Sequence, residues 1–494
     1  IDEWPARIAE TAMFLIDRQC DLKLKERFGE APQRLPIQTQ ATITATNALK
    51  LDWADILPPS GDVIIAGNPP FSGQYTKTDE QTADTQRAWG DDYDGYLDYV
   101  TAWHAKALNY LRGTDAQWAY VTTNSITQGQ AVPALFRPIF RDGWRIKFAH
   151  RTFPWTSEAA GKAAVHCVIV GFTRNLSITP RLFVYDRSNS APREEPVTNI
   201  NPYLLDASNL LVTKRTRPLP GLPAVVKGSQ PTDGGHLQVR TEQYDEVAKD
   251  PIASKYLRPF IGADELLNGS KRWCLWLTDA PQRELSASPV LLVRLAAVRK
   301  MRLASTKEPT RRAAKTPSLF TERRQPNVPY LGIPRHVSEN RRYFTATRFD
   351  ESVICGDANF TATDPDGYLF AIISSTMFIT WQRMIGGRIK SDLRFSNTVV
   401  WNNFPMPAVN ANQRGKIVNA GAAIITVRTK SPERSLAELY EPDSMGADLL
   451  AAHDALDALV DAAFMQGSKD TGRTERDRQQ LLFARYEQLT ASKR

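Results

Sequence analysis

The chain has 494 residues, 42% of them hydrophobic and 23% charged, with 62 Lys and Arg against 54 Asp and Glu for a net charge of +8. That length suggests several domains, and the basic balance (pI near 9.2) favours a polyanionic partner. No apolar run is long enough to span a membrane, no signal-peptide pattern opens the chain, and the four cysteines (Cys20, Cys167, Cys274, Cys355) are too scattered for a zinc site or a disulfide scaffold, so a reducing, cytoplasmic compartment and no metal are expected.

From Trp4 to Ile16, apolar residues recur at helical spacing behind Asp2 and Glu3, which predicts a helix. Ala41 to Thr46 alternates β-branched and small residues as a strand does, and leads into Asn47-Ala48. Val63-Ile64-Ile65-Ala66-Gly67 is an apolar run that predicts a buried strand, stopped at once by Asn68-Pro69-Pro70-Phe71. Paired prolines have fixed φ and no N–H, so the Asn68 and Pro69 carbonyls should point outward, free of any sheet ladder, with the Phe71 ring just beyond. Two rigid acceptors and a stacking ring suit the exocyclic amino group of a flipped adenine.

The polar segment Ser72 to Asp94 predicts a loop over this site, followed by a helix from Tyr96 to Leu111 and a strand from Trp118 to Asn124. Further strands are expected at Arg145–His150 and Gly161–Phe172, with Phe153 in the connection between them. Alternation of strand and helix predicts a parallel sheet with helices on both faces, and Asn47, Asn68 and Asn124 then fall at strand carboxyl ends, where ligands gather.

Prolines and glycines crowd the chain between 176 and 250, placing a boundary near residue 215. Short elements follow at Tyr256–Gly262 and Arg272–Leu277, and Arg294 to Arg324 carries ten Lys or Arg against two Glu. Candidate phosphate contacts are Arg299, Lys300, Arg302, Arg311, Arg312, Arg323 and Arg324, with Arg388, Lys390 and Arg394 farther on, interleaved with Tyr343, Phe344, Phe349, Trp381 and Phe395. From 411 to 494 the pattern is helical, with Leu449, Leu456, Leu459, Val460 and Phe464 on one face. The expected organisation is 1–215, 216–410 and 411–494.

Gly67-Asn68-Pro69-Pro70-Phe71 resembles the catalytic motif of the DNA amino-methyltransferases, Asn-Pro-Pro-Phe/Tyr. With Trp4-Pro5-Ala6-Arg7-Ile8-Ala9-Glu10-Thr11-Ala12, Thr122-Thr123-Asn124-Ser125, Arg272-Trp273-Cys274-Leu275-Trp276 and Asn402-Asn403-Phe404-Pro405, the chain resembles the MmeI-like, or type IIL, restriction-modification enzymes. The resemblance implies an α/β fold: a γ-order class I methyltransferase (Rossmann-like) sheet lacking its first strand and Gly-rich loop, a mixed α+β target-recognition domain and a C-terminal helical region. It implies S-adenosylmethionine as cofactor, double-stranded DNA as partner, and transfer to adenine N6.

On the same resemblance, Asn68, Pro69, Pro70 and Phe71 form the catalytic set and Phe153 makes an edge contact to the flipped base. Ile1 and Asp2 follow the ribose-binding acid, Asn47 and Ala48 meet the adenine of the cofactor, and Asn68 borders it. The chain would then start inside a domain, with a nuclease domain allowed upstream, weak cofactor binding and an unpaired sheet edge. Cytosine-N4 methylation and a catalytically inactive DNA-binding specificity fragment stay open. His150 and His166 are assigned structural roles, because methyl transfer from a sulfonium needs no strong base.

Overall fold

The computed structural model describes residues 3–31, 41–155, 165–185, 191–389, 391–465 and 474–491. It divides into two compact units, Ile1–Thr127 with Ala131–Asp206, and Gln128–Gln130 with Ala207–Arg494. Ile1, Asp2 and Lys390 lie outside the described residues.

The first unit runs α1 (Glu3–Phe28), β1 (Ile64–Gly67), α2 (Asp79–Trp89), α3 (Thr101–Tyr110), β2 (Gln117–Thr123), α4 (Ala131–Arg141), β3 (Arg145–Trp155), β4 (Val165–Thr173), β5 (Arg181–Val184) and β6 (Arg193–Pro196). Its six strands form one sheet in the order β1-β2-β4-β3-β5-β6. The sheet is mixed, not parallel as the alternation predicts. β1 with β2 and β3 with β5 are parallel, whereas β4 runs back between β2 and β3, antiparallel to both. Only nine residues lie between the end of β3 and the start of β4, fewer than the dozen or so that a crossover to a parallel neighbour needs.

The core of this sheet is aromatic. Trp118 stacks on Phe172 at 4.8 Å and meets Trp144 edge-on at 4.3 Å. Gly171 on β4 lies under the Phe148 ring, so that a Cβ there would come within 2.3 Å of it. The strand can pass beneath that ring only without a side chain.

Three local expectations are corrected. Residues 41–46 form no strand, since no described strand lies beside them to complete a ladder. The expected loop 72–94 contains α2, begun by a capping box: Thr78 accepts from Gln81 N at 3.2 Å and Gln81 accepts from Thr78 N at 3.0 Å. α2 buries Asp84, Thr85, Ala88 and Trp89. Finally, β1 is not buried. It ends the strand order, and Ile64 is 75% exposed.

Among its described residues the second unit holds three small sheets. In one, Leu257–Ile261 and Arg272–Leu275 lie between Ile354–Cys355 and Gln238–Arg240. Leu237, Val239, Phe260, Leu275, Leu291 and Phe320 form its core. Helices Ala411–Arg428, Ala447–Phe464 and Glu475–Ala491 make up the C-terminal part. Polar groups are threaded through it: Arg428 donates twice to the Tyr440 hydroxyl, at 2.9 and 2.6 Å, and that hydroxyl also meets His453 Nε2 at 2.6 Å. Tyr343 stacks on His453 with ring centres 3.8 Å apart. Tyr343, Phe344, Trp381 and Phe395 are therefore core residues and do not interleave with a basic surface.

Candidate functional site

β1 delivers Asn68 one residue past its last ladder position, where Gly67 pairs with Tyr120 of β2. The Asn68 side chain is exposed and takes no hydrogen bond among the described residues, while Pro69 is buried and anchors the turn. No backbone donor reaches the Pro69 carbonyl among those residues. Phe71 is half-buried. The motif thus offers two unclaimed acceptors on a backbone that two prolines stiffen.

Behind it lies a layer that pattern reading missed. Asp98 is 7% exposed and accepts from Gln74 N at 2.7 Å through one oxygen and from the Ser125 hydroxyl through the other. Tyr99 N donates to Ser72 O at 2.9 Å, and Lys77 Nζ to Leu97 O at 2.6 Å. Burial draws the Lys77 ammonium below its ordinary pKa, with Asp98 opposing. The signal for this layer was weak, since one acid ahead of a helix reads as an ordinary cap.

Asn47 opens a turn, its Oδ1 accepting from Leu49 N at 3.0 Å and its Nδ2 donating to Asp84 of α2 at 2.9 Å. Asp84, buried, also takes Arg87 at 2.7 Å. One lone pair of the Asn47 oxygen is already engaged. Ala48 is held through its carbonyl, which accepts from Trp53 Nε1 at 2.9 Å.

Phe153 lies within β3, not in a connection, because β3 continues to Trp155 through a bulge between His150 and Phe153. Phe153 pairs with Cys167, which pairs in turn with Thr123 of β2. It therefore stands level with the carboxyl end of β2, about 10 Å away at two strand spacings. Its ring rests 5.1 Å from Tyr185. His150 stacks on Phe183 at 4.5 Å and meets the Tyr185 hydroxyl at 2.9 Å, and burial lowers its pKa. His104, beneath the sheet, is held down to about 3 by burial and is uncharged at neutral pH. No general base stands out among them.

The basic candidates separate by environment. Arg302 is 0% exposed and spends all five N–H donors on carbonyls of Pro231, Thr232, Ala313, Thr316 and Leu319, at 2.8 to 3.0 Å. It holds the segment together and has no donor for a phosphate, which corrects its assignment. Arg299 and Lys300 are exposed on the Pro289–Leu303 helix. Arg311 donates to Ser305 and Thr306 carbonyls, and Arg323 to Phe320 O. Arg312 pairs with Glu308 and Arg324 with Glu322, both at 2.6 Å. Arg388 reaches Glu339 at 2.9 Å, and Arg394 is exposed on the short strand Asp392–Arg394.

Among the described residues no group of His, Cys, Asp or Glu could hold a metal, and no helix is long and apolar enough to cross a membrane.

Three family models match in succession: the MmeI DNA-methyltransferase domain over residues 1–184, the MmeI target recognition domain over 206–408 and the MmeI C-terminal domain over 409–493. DNA methyltransferase A of Bacillus subtilis (strain 168) is 32% identical over 496 residues, covering 99% of this chain and 55% of that protein. The type IIL restriction-modification enzyme MmeI, solved in complex with DNA, is 39% identical with a TM-score of 0.81, covering 99% of this chain and 66% of that one. The chain thus spans only part of the length of both relatives. With three of its domain models matched in order and a common fold along almost the whole sequence, the chain belongs to the MmeI family.

Proposed function

We propose that this chain is the modification and recognition part of a site-specific DNA methyltransferase that acts on adenine N6, with S-adenosylmethionine as methyl donor and duplex DNA as substrate. The observation that carries the reading is the exposed Asn68 carboxamide at the end of β1, without a hydrogen bond among the described residues and followed by two prolines and an aromatic ring. The flanking target-recognition unit supports a DNA substrate, as do the exposed Arg299 and Lys300.

An adenine is inaccessible inside the duplex, so it is flipped out. Phe71 covers its face, and Phe153, level with the strand ends, bounds its edge. The Asn68 oxygen and the Pro69 carbonyl accept the two N–H groups of N6. Those bonds pull the nitrogen lone pair out of conjugation with the ring and favour its tetrahedral form, so they strengthen toward the transition state. S-adenosylmethionine, when bound, supplies a methyl group on a positively charged sulfur, and the residues placed to hold its adenine are Asn47, oriented by Asp84, and Ala48. Asn47 can still accept one bond on its remaining lone pair. With acceptor, ring and donor aligned, positioning supplies most of the rate.

The test is tritium transfer from labelled S-adenosylmethionine to unmodified DNA by the full-length protein, with the product digested to nucleosides. Label in N6-methyl-2′-deoxyadenosine is expected. Label in N4-methyl-2′-deoxycytidine would replace adenine with cytosine, and DNA binding without transfer would leave a specificity fragment.

A further inference from the structure

We infer that Asp98 is a positioning residue for the Asn68–Phe71 turn, a clamp that ties the segment after it to the segment after β2. The inference rests on the methyltransferase reading above. The two segments come from ends of neighbouring strands, and no ladder bond joins them beyond Gly67. Asp98 joins them through one carboxylate: Oδ1 takes Gln74 N at 2.7 Å, and Oδ2 takes the Ser125 hydroxyl, itself 2.8 Å from the Thr123 hydroxyl. Its backbone is rooted in α3, since the Asp98 carbonyl accepts from Thr101 N at 3.0 Å and from Thr101 Oγ1 at 2.7 Å. Tyr99 N on Ser72 O then fixes the residue directly after Phe71.

The chemistry suits a two-armed acceptor. A carboxylate offers two oxygens and no donor, so it can take an N–H and an O–H from different segments at once. Its burial is offset by those two bonds and by the charge of the nearby Lys77 ammonium, with which it forms no ion pair among the described residues. Its two bonds join segments that no ladder joins, so its effect falls on their placement. Placement matters here because a catalytic group displaced by about 1 Å can lose some 100-fold in rate.

Asp98→Ala removes both arms. Asp98→Asn keeps both, because its oxygen still accepts from Gln74 N and its NH2 can donate to a reversed Ser125 hydroxyl. Ser125→Ala removes one. In the full-length protein, Asp98→Ala is expected to lower kcat for methyl transfer by about 10- to 100-fold with KM for DNA within about twofold, Ser125→Ala to fall between, and Asp98→Asn to stay near wild type.

Hydrogen exchange gives a readout independent of activity. Amides in the peptide 71–77 should exchange at least about tenfold faster in Asp98→Ala but not in Asp98→Asn, with α3 unchanged. Unaltered exchange in that peptide overturns the clamp. Uniform acceleration through β1, β2 and α3 also overturns it, as the mark of a general stabiliser. If exchange responds as expected but kcat does not fall, the catalytic role is overturned. A wild-type protein that transfers no methyl group refutes the methyltransferase reading, and the clamp is then judged on exchange alone.

Discussion

Asn68 and Arg302 stand at opposite ends of what one side chain can do here. The Asn68 side chain is exposed and makes no hydrogen bond among the described residues, which leaves it free to act on a substrate. Its replacement by Ala removes an acceptor used chiefly in the transition state, which should cost about 3 kcal/mol in kcat, or some 100-fold or more, while duplex affinity stays near wild type. Undiminished tritium transfer by Asn68→Ala would take that side chain out of the mechanism. Arg302, by contrast, is wholly committed to five backbone carbonyls. Arg302→Met strands those acceptors in a buried site and should destabilise the second unit by about 3–5 kcal/mol. Urea denaturation decides it, and a loss below about 1 kcal/mol would mean that the carbonyls find other partners.

At the level of elements, the C-terminal helices carry a pH-dependent joint. Asp457, on the Ala447–Phe464 helix, accepts from Thr376 N at 2.7 Å and from the Thr376 hydroxyl, at the first turn of the Thr376–Ile385 helix. Burial pushes its carboxyl up to about 6, against the lowering effect of the Thr376 bonds, and nearby Asp461 adds to the rise while Arg478 opposes it. The folded pKa exceeds the unfolded one, so the folded protein holds a proton that the unfolded chain has released between about pH 4 and 6. Stability from this group is present below that window and lost as pH rises through it. Asp457→Asn keeps both partners without the charge, and leaves the Arg478–Asp461 pair at 2.7 Å in place. It should raise stability by about 1–3 kcal/mol at pH 7.5 and by nothing near pH 4. Equal melting shifts at the two pH values would refute the assignment.

Which elements were legible follows from the kind of signal each one carries. The strand ends at Asn68 and Asn124 are marked by local chemistry, prolines in one case and an apolar run in the other. The Ala447–Phe464 helix is legible from its spacing. α2 was hidden because its buried face includes Asp84 and Thr85, leaving little apolar period to find, and only Thr78-x-x-Gln81 announces it. The expected strand at 41–46 failed because a ladder is a property of two segments, and one alone cannot declare its partner. Arg302 and the aromatics Tyr343, Phe344, Trp381 and Phe395 misled for a related reason. Residue type cannot tell a guanidinium that faces solvent from one that ties loops together.

Over the whole molecule, a surplus of eight positive charges draws a polyanion without choosing where it binds. Arg302 is withdrawn from any such surface, and Arg312 and Arg324 are partly neutralised by glutamates. Exposed Arg299, Lys300 and Arg323 remain without an acidic partner among the described residues. If they lie on phosphates, each displaces counterions on binding, and the logarithm of affinity falls with the logarithm of salt by about 0.9 per contact. Replacing all three by Gln should therefore flatten the salt slope of duplex binding by about three, while affinity weakens by a similar factor on any sequence. The Asn68→Ala protein, measured alongside, should keep the full slope, because its loss is in chemistry and not in charge. A triple variant with an unchanged slope would make these three residues part of a solvated surface and move the phosphate contacts to other basic residues, with exposed Arg394 the next to replace.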